Sequence, residues 1–236
     1  MDLSQDGQTR TAIDSPSPGE KKSRRGRKPS GKLSRKKIVA TALTIARRDG
    51  GSSVTMRRIA TEAGVGTMSL YRYIDDRDDL LSEMLGVALK RVKLRRLKDP
   101  IDELLSIFDG LYSLFRSEPW VITVMVNYAG GNAHVLAINE RVVVALKKLG
   151  MSDDVAFHTL HTLMHYTYGE AMLMEAWDRR MQSRDPSPVH WDHEQYPTIS
   201  RMVEKDMASE PPEVEPYISN VRRVLLWASN STQPAV

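Results

Sequence analysis

The sequence predicts an all-α protein, a small helical head followed by a larger helical body. Apolar residues recur at i, i+4, i+7 and i+8 in segment after segment, the spacing of one helix face. Ser, Thr and Asp stand before those segments as caps, and Gly or Asp-Pro closes them. No internal repeat and no pair of alternating, strand-like segments interrupts the pattern.

The 236 residues and an apolar share of 41% support a packed core, in one large domain or two modest ones. No run of 18 apolar residues occurs, so no membrane partner is expected. The opening MDLSQDGQTR lacks the apolar stretch of a secretory signal. Cysteine is absent, which excludes disulfides, thiolate nucleophiles and cysteine-based zinc sites. A cytoplasmic protein is the resulting expectation.

Net charge is +4, unevenly spread. Residues 21–37 hold ten Lys or Arg and no acid, so that stretch carries +10 and the remainder −6. A basic arm on a mildly acidic body suits a polyanion. Residues 1–32 contain Pro16, Pro18 and Pro29, with only Leu3 and Ile13 as large aliphatics. They bury too little surface to offset ordering entropy and are expected to form a disordered basic N-terminal arm. Within it, Arg24-Arg25-Gly26-Arg27-Lys28-Pro29 resembles the Arg-Gly-Arg-Pro core of minor-groove hooks, with Lys28 interposed.

The first helix is expected from residue 35 to about 48, with Ser34 as its cap and Ile38, Ala42, Ile45 and Ala46 on one face. Gly50 and Gly51 end it. A second runs from about 56 to 63 behind Thr55, with Ile59, Ala60 and Ala63 inward. Gly64 and Gly66 bound the turn, and a third helix covers 67–73 on the anchor Leu70. Asp76 caps a fourth, whose stripe Leu80, Leu81, Met84, Leu85, Ala88 and Val92 carries it to about residue 98, where Asp99-Pro100 stops it. The head is assigned to residues 33–80 and the body to 81–236. Body helices are expected over 101–116, 120–128, 134–149, 154–181, 198–208 and 213–228, with a proline-bearing loop over 183–197.

Residues 54–74, VTMRRIATEAGVGTMSLYRYI, are the most informative stretch. Their second short helix spends its side chains on small polar residues, the basic Arg72 and two tyrosines. A helix built this way is held against something other than its own core. The major groove of double-stranded DNA admits one α-helix and displays hydrogen-bonding base edges.

The run LSRKKIVATALTIARRDGGSSVTMRRIATEAGVGTMSLYRYIDDRDDLL resembles the TetR family of bacterial transcriptional regulators. The likeness is carried by Val54-Thr55-Met56-Arg57-Arg58-Ile59-Ala60, by Ala63-Gly64-Val65, by Leu70-Tyr71-Arg72-Tyr73, and by Arg77 before Asp78-Asp79-Leu80-Leu81. It implies an N-terminal three-helix helix-turn-helix DNA-binding domain and a helical ligand-binding and dimerisation domain. It implies that Thr67, Met68 and Ser69 open the recognition helix and face base edges, with Arg72 beside them. Arg57 would reach a base or a phosphate, while Thr55, Tyr71, Tyr73 and Arg77 would clamp phosphates. The chemistry agrees: hydroxyls and guanidinium groups donate to phosphate oxygens and set register, and base contacts set sequence. The resemblance further implies a homodimer through the helices at 154–181 and 213–228, a palindromic operator, and release of a repressor by a small-molecule inducer.

For the inducer the candidate lining residues are Trp120, Met125, Tyr128, His161, His165, Tyr168 and Met172, since adaptable Met with aromatic walls suits apolar ligands. His158, His161 and His165 recur at i, i+3 and i+7, and His161 and His165 form His-x-x-x-His without the glutamate of a zincin motif. No metal or cofactor is expected. Two other classes stand beside the regulator: a metal-dependent enzyme using that histidine cluster, and an architectural DNA-binding protein driven by the arm. No nucleophile elbow, phosphate loop or paired carboxylates favour an enzyme.

Overall fold

In a computed structural model of the chain, all regular structure among the described residues, 33–127, 131–182, 193–208 and 216–230, is helical. The basic arm and Tyr128 lie outside the described residues. No described helix is long and apolar enough to cross a membrane.

Three short helices build the head. In α1 (Arg35–Asp49) the Ser34 hydroxyl accepts the Lys37 N–H at 3.3 Å, and Ile38, Ala42, Ile45 and Ala46 are buried. Gly50 leaves the helix at φ 84°, and a 3-10 turn (Gly51–Ser53) follows. α2 (Met56–Ala63) starts at Thr55, whose hydroxyl accepts the Arg58 N–H at 3.2 Å. It ends at Gly64, which is left-handed at φ 69° and ψ 32°, a conformation costly for a residue with a Cβ. α3 is shorter than the expected 67–73. Its regular part is Thr67–Leu70, because the Leu70 carbonyl takes both the Tyr73 and Ile74 N–H groups and tightens the chain. That turn drives Ile74 into the core and frees Asp76 to cap the next helix.

α4 (Arg77–Leu89) corrects the expected helix to residue 98. The stripe was real, since even Val92 is buried. Between Lys90 and Lys98, however, six cations follow with no acid, and like charges one turn apart repel. Tertiary contacts then redirect the chain. Arg91 reaches Glu118, Val92 lies beside Gly110, and the Leu97 N–H donates to Glu103 at 3.1 Å. Asp99 and Pro100 act as a start signal: the Asp99 carboxylate accepts the Ile101 N–H at 2.7 Å, and Pro100 opens α5 (Pro100–Ser117), where its missing N–H costs nothing.

The body continues with α6 (Trp120–Asn127), α7 (Ala133–Lys148), α8 (Asp153–Met181), α9 (Pro197–Ala208) and α10 (Pro216–Asn230). α5 is the hub, packed on α6, α7, α8 and α10. α4 lies against α1 on one side and against α6 and α7 on the other. The expected boundary after residue 80 therefore falls inside a helix that head and body share.

A tyrosine stack fills the body. Tyr217 lies between Tyr112, at 4.1 Å between ring centroids, and Tyr166, at 5.6 Å. Its hydroxyl is 2.8 Å from Thr167 Oγ1, whose own proton goes to the Leu163 carbonyl. Burial pushes the Tyr217 phenol up from its ordinary range. Tyr217→Phe removes the one phenol proton, which is shared between Thr167 Oγ1 at 2.8 Å and the Phe108 carbonyl at 3.3 Å, and leaves Thr167 Oγ1 short of a donor. The expected loss is about 1–2 kcal/mol, read by urea unfolding. A loss indistinguishable from zero would show that the hydroxyl is dispensable.

Candidate nucleic-acid interface

α2, the Gly64 turn and α3 present one outward surface, and its inward side explains how it is held. Leu70 and Ile59 are fully buried, so both helices are pinned from beneath. On the outside, Met68 is 79% exposed and Tyr71 45% exposed, while Arg57, Arg72 and Arg77 are exposed and Thr67, Ser69 and Tyr73 half-buried. Thr55 is exposed, and its hydroxyl accepts at the cap while keeping a proton to donate outward.

The arginines of the head fall into two sets. Arg35, Arg47, Arg48 and Arg58 are each tied to carboxylates: Arg35 to Asp79 and Glu83, Arg47 to Glu118, Arg48 to Asp49 and Glu62, and Arg58 to Asp49 and Glu62. Arg57, Arg72 and Arg77 have no acidic partner among the described residues. An unpaired, exposed guanidinium is a free donor fork for an anion. These are the three arginines that the sequence singles out.

Arg35 sets the height of the recognition turn. Besides its carboxylates it donates to the Tyr73 carbonyl at 2.9 Å, which ties the start of α1 to the end of the α3 turn. Burial works to raise the Asp79 carboxyl, but the Arg35 guanidinium and the Asp75 N–H at 3.0 Å outweigh it and hold it below its usual range. Sequence reading missed Arg35, Asp79 and Glu118, because each works through a partner more than 40 residues away.

The body candidates do not converge. Tyr168 and Met125 meet, hydroxyl to sulfur, at 3.9 Å, and Phe115 packs on Tyr168 at 5.2 Å. Burial pushes the Tyr168 phenol up to about 12. Trp120 is instead a core residue whose indole N–H is held by Glu118. His161, His165 and Met172 are exposed along α8, where the helix turns them away from the body. His158 and His161 each place Nδ1 2.8 Å from the carbonyl one turn earlier, which leaves Nε2 outward. Among the described residues no three His, Asp or Glu side chains are close enough to hold a metal ion.

Two family models match the chain. One, described as bacterial regulatory proteins of the tetR family, matches residues 38–84, and the other, described as tetracyclin repressor-like, C-terminal domain, matches residues 99–215. The chain is 28% identical over 159 residues to an HTH-type transcriptional repressor of Streptomyces coeruleorubidus, covering 62% of this chain and 55% of that one. It thus spans about half the length of that relative. Among solved structures it superposes on a TetR-type regulator from Streptomyces coelicolor, with TM-score 0.68, 20% identity, and 86% of this chain and 100% of that chain covered. ActR of the same organism, solved in complex with actinorhodin, gives TM-score 0.67 at 17% identity over 86% of this chain and 100% of that one.

Proposed function

Because this chain belongs to the TetR family of bacterial transcriptional regulators, we propose that it is a cytoplasmic, homodimeric repressor that a small-molecule inducer releases from a palindromic DNA operator. The observation that carries this reading is the outward α2–α3 surface, anchored by buried Leu70 and bearing the head's unpaired arginines. In it Thr67, Met68 and Ser69 face base edges, with the Thr67 methyl and Met68 suited to thymine methyls. Thr55, Arg57, Tyr71, Arg72, Tyr73 and Arg77 hold phosphates and fix register.

One helix-turn-helix reads few base pairs, so a second copy is required for affinity, with recognition helices ~34–36 Å apart. The outer faces of α8 and α10 suit that copy. They expose Phe157, Met172, Leu173 and Trp177 on α8, and Leu226 and Trp227 on α10, more apolar surface than one chain leaves open without cause. The body supplies the ligand site; that ActR, of like fold, was solved in complex with actinorhodin supports a small-molecule partner. An inducer shifts the dimer only by binding the released arrangement better.

Footprinting on the DNA upstream of the chain's own gene is the direct test. The expected result is a protected dyad of two half-sites one helical turn apart. No protection over random competitor DNA would sink the regulator reading. Tyr71→Phe is expected to weaken binding to all sequences alike, on the order of fivefold, as a lost phosphate hydrogen bond does. Unchanged affinity in a gel-shift titration would remove Tyr71 from the clamp.

A further inference from the structure

Glu118 is the only acid between Asp109 and Glu140, and it stands at the mouth of the apolar run PWVITVMV. Its position in the fold is unusual. It is the C-cap of α5 and only 6% exposed. Burial works to raise that carboxyl, and the donors around it outweigh burial and hold it below the ordinary range.

Those donors come from three separate parts of the chain. Arg47, in the last turn of α1, donates from Nε to both oxygens, at 3.0 and 2.9 Å, and from Nη2 at 2.8 Å. Arg91, just past the end of α4, donates at 2.9 Å and also reaches Ser117 Oγ at 3.3 Å. Trp120, at the start of α6, donates its indole N–H at 2.5 Å. The neighbouring head–body contact is close as well: a methyl group on Gly51 would meet the Trp120 carbonyl at 3.2 Å and Val124 Cγ2 at 3.3 Å.

We propose that Glu118 is the positioning residue that fixes the DNA-reading head on the body, by joining α1, the exit of α4 and the α5–α6 corner through one buried carboxylate. A carboxylate out of water tolerates no slack, since a lost donor leaves uncompensated charge. The head is therefore held at one angle relative to the body. A body movement that displaces the α5–α6 corner moves both arginines together and tilts α1 and α4 as a unit. Neither Arg47 nor Arg91 is needed to touch DNA; their role is to set where the two heads of a dimer point.

The inference rests on the dimeric operator reading above, and the test separates the two. The probe is a palindromic duplex selected from a random library by the full-length chain, used intact, as a single half-site, and with one base pair inserted at its centre. The variants are Glu118→Gln, Arg47→Ala and Arg91→Ala, the last two at half-exposed side chains, with unfolding curves confirming that each folds. Wild type is expected to prefer the palindrome and to reject the insertion. Each variant is expected to lose about tenfold on the palindrome, keep its half-site affinity, and tolerate the insertion. Arg47→Lys, which keeps the charge, is expected to recover part of the spacing discrimination. Equal losses on palindrome and half-site, no loss on either, or retained rejection of the insertion overturns the positioning role while leaving the dimer intact. A wild type that binds one half-site as tightly as the palindrome overturns both.

Discussion

Replacing Leu70 with alanine is expected to destabilise the head by about 3–5 kcal/mol, the range for emptying a fully buried leucine site. Leu70 is 0% exposed and is the only buried residue of α3, so no neighbour on that helix can take its place. A four-residue helix also has too little length to hold itself by hydrogen bonding, which makes packing its main support. The Leu70 carbonyl organises the Tyr73–Ile74 turn, and the loss therefore spreads to the start of α4. The expected phenotype is local. Amide exchange in α2 and α3 rises and operator binding disappears, while the tyrosine stack around Tyr217 keeps the body folded. A urea midpoint shift worth less than ~1 kcal/mol would mean that the site collapses around the smaller side chain, and that α3 depends on its polar contacts instead.

Removing Arg57, Arg72 and Arg77 together is expected to lower operator affinity on the order of a thousandfold near physiological salt and to flatten its salt dependence. Each phosphate contact releases condensed counterions and adds about 0.9 to the slope of log affinity against log salt. Three contacts in each protomer of a dimer correspond to a slope change of about 5. Arg48→Ala is the contrast, because Arg48 is already neutralised by Asp49 and Glu62 and its loss frees no phosphate. If the triple variant keeps the wild-type slope, those arginines are not on phosphates. If Arg48→Ala flattens the slope as strongly, paired and unpaired arginines are equivalent, and their segregation in the head carries no functional meaning.

The two experiments probe opposite sides of one surface. Leu70 pins α3 from beneath, and the arginines meet DNA from above. Together with the Glu118 junction they describe a head whose outward chemistry is free because its inward and lateral contacts are already satisfied.

Much of this was readable along the chain. The caps Ser34, Thr55 and Asp76 lie where expected, because a cap is a contact within three residues and its chemistry is written locally. The same holds for Gly64, whose left-handed turn no other residue adopts as cheaply. The end of α4 was misread because the apolar stripe runs on to Val92, while the partner that pulls Arg91 out of the helix, Glu118, stands 27 residues further along. Helical spacing says which residues share a face of α8 but not which face points inward, so His161, His165 and Met172 turned out exposed and Trp120 turned out to be core.

By itself the sequence determined the all-helical class, the order and caps of the helices, and the polar composition of the surface that α3 presents. These follow from interactions among residues a few positions apart, and no folding is needed to enumerate them. Only the tertiary structure decided which arginines remain free, which aromatics are buried, and that one carboxylate joins head to body. The Glu118 junction joins partners 27 and 71 positions away, Arg35 meets Asp79 across 44, and Tyr217 reaches Thr167 across 50; such pairings exist only once the helices have packed.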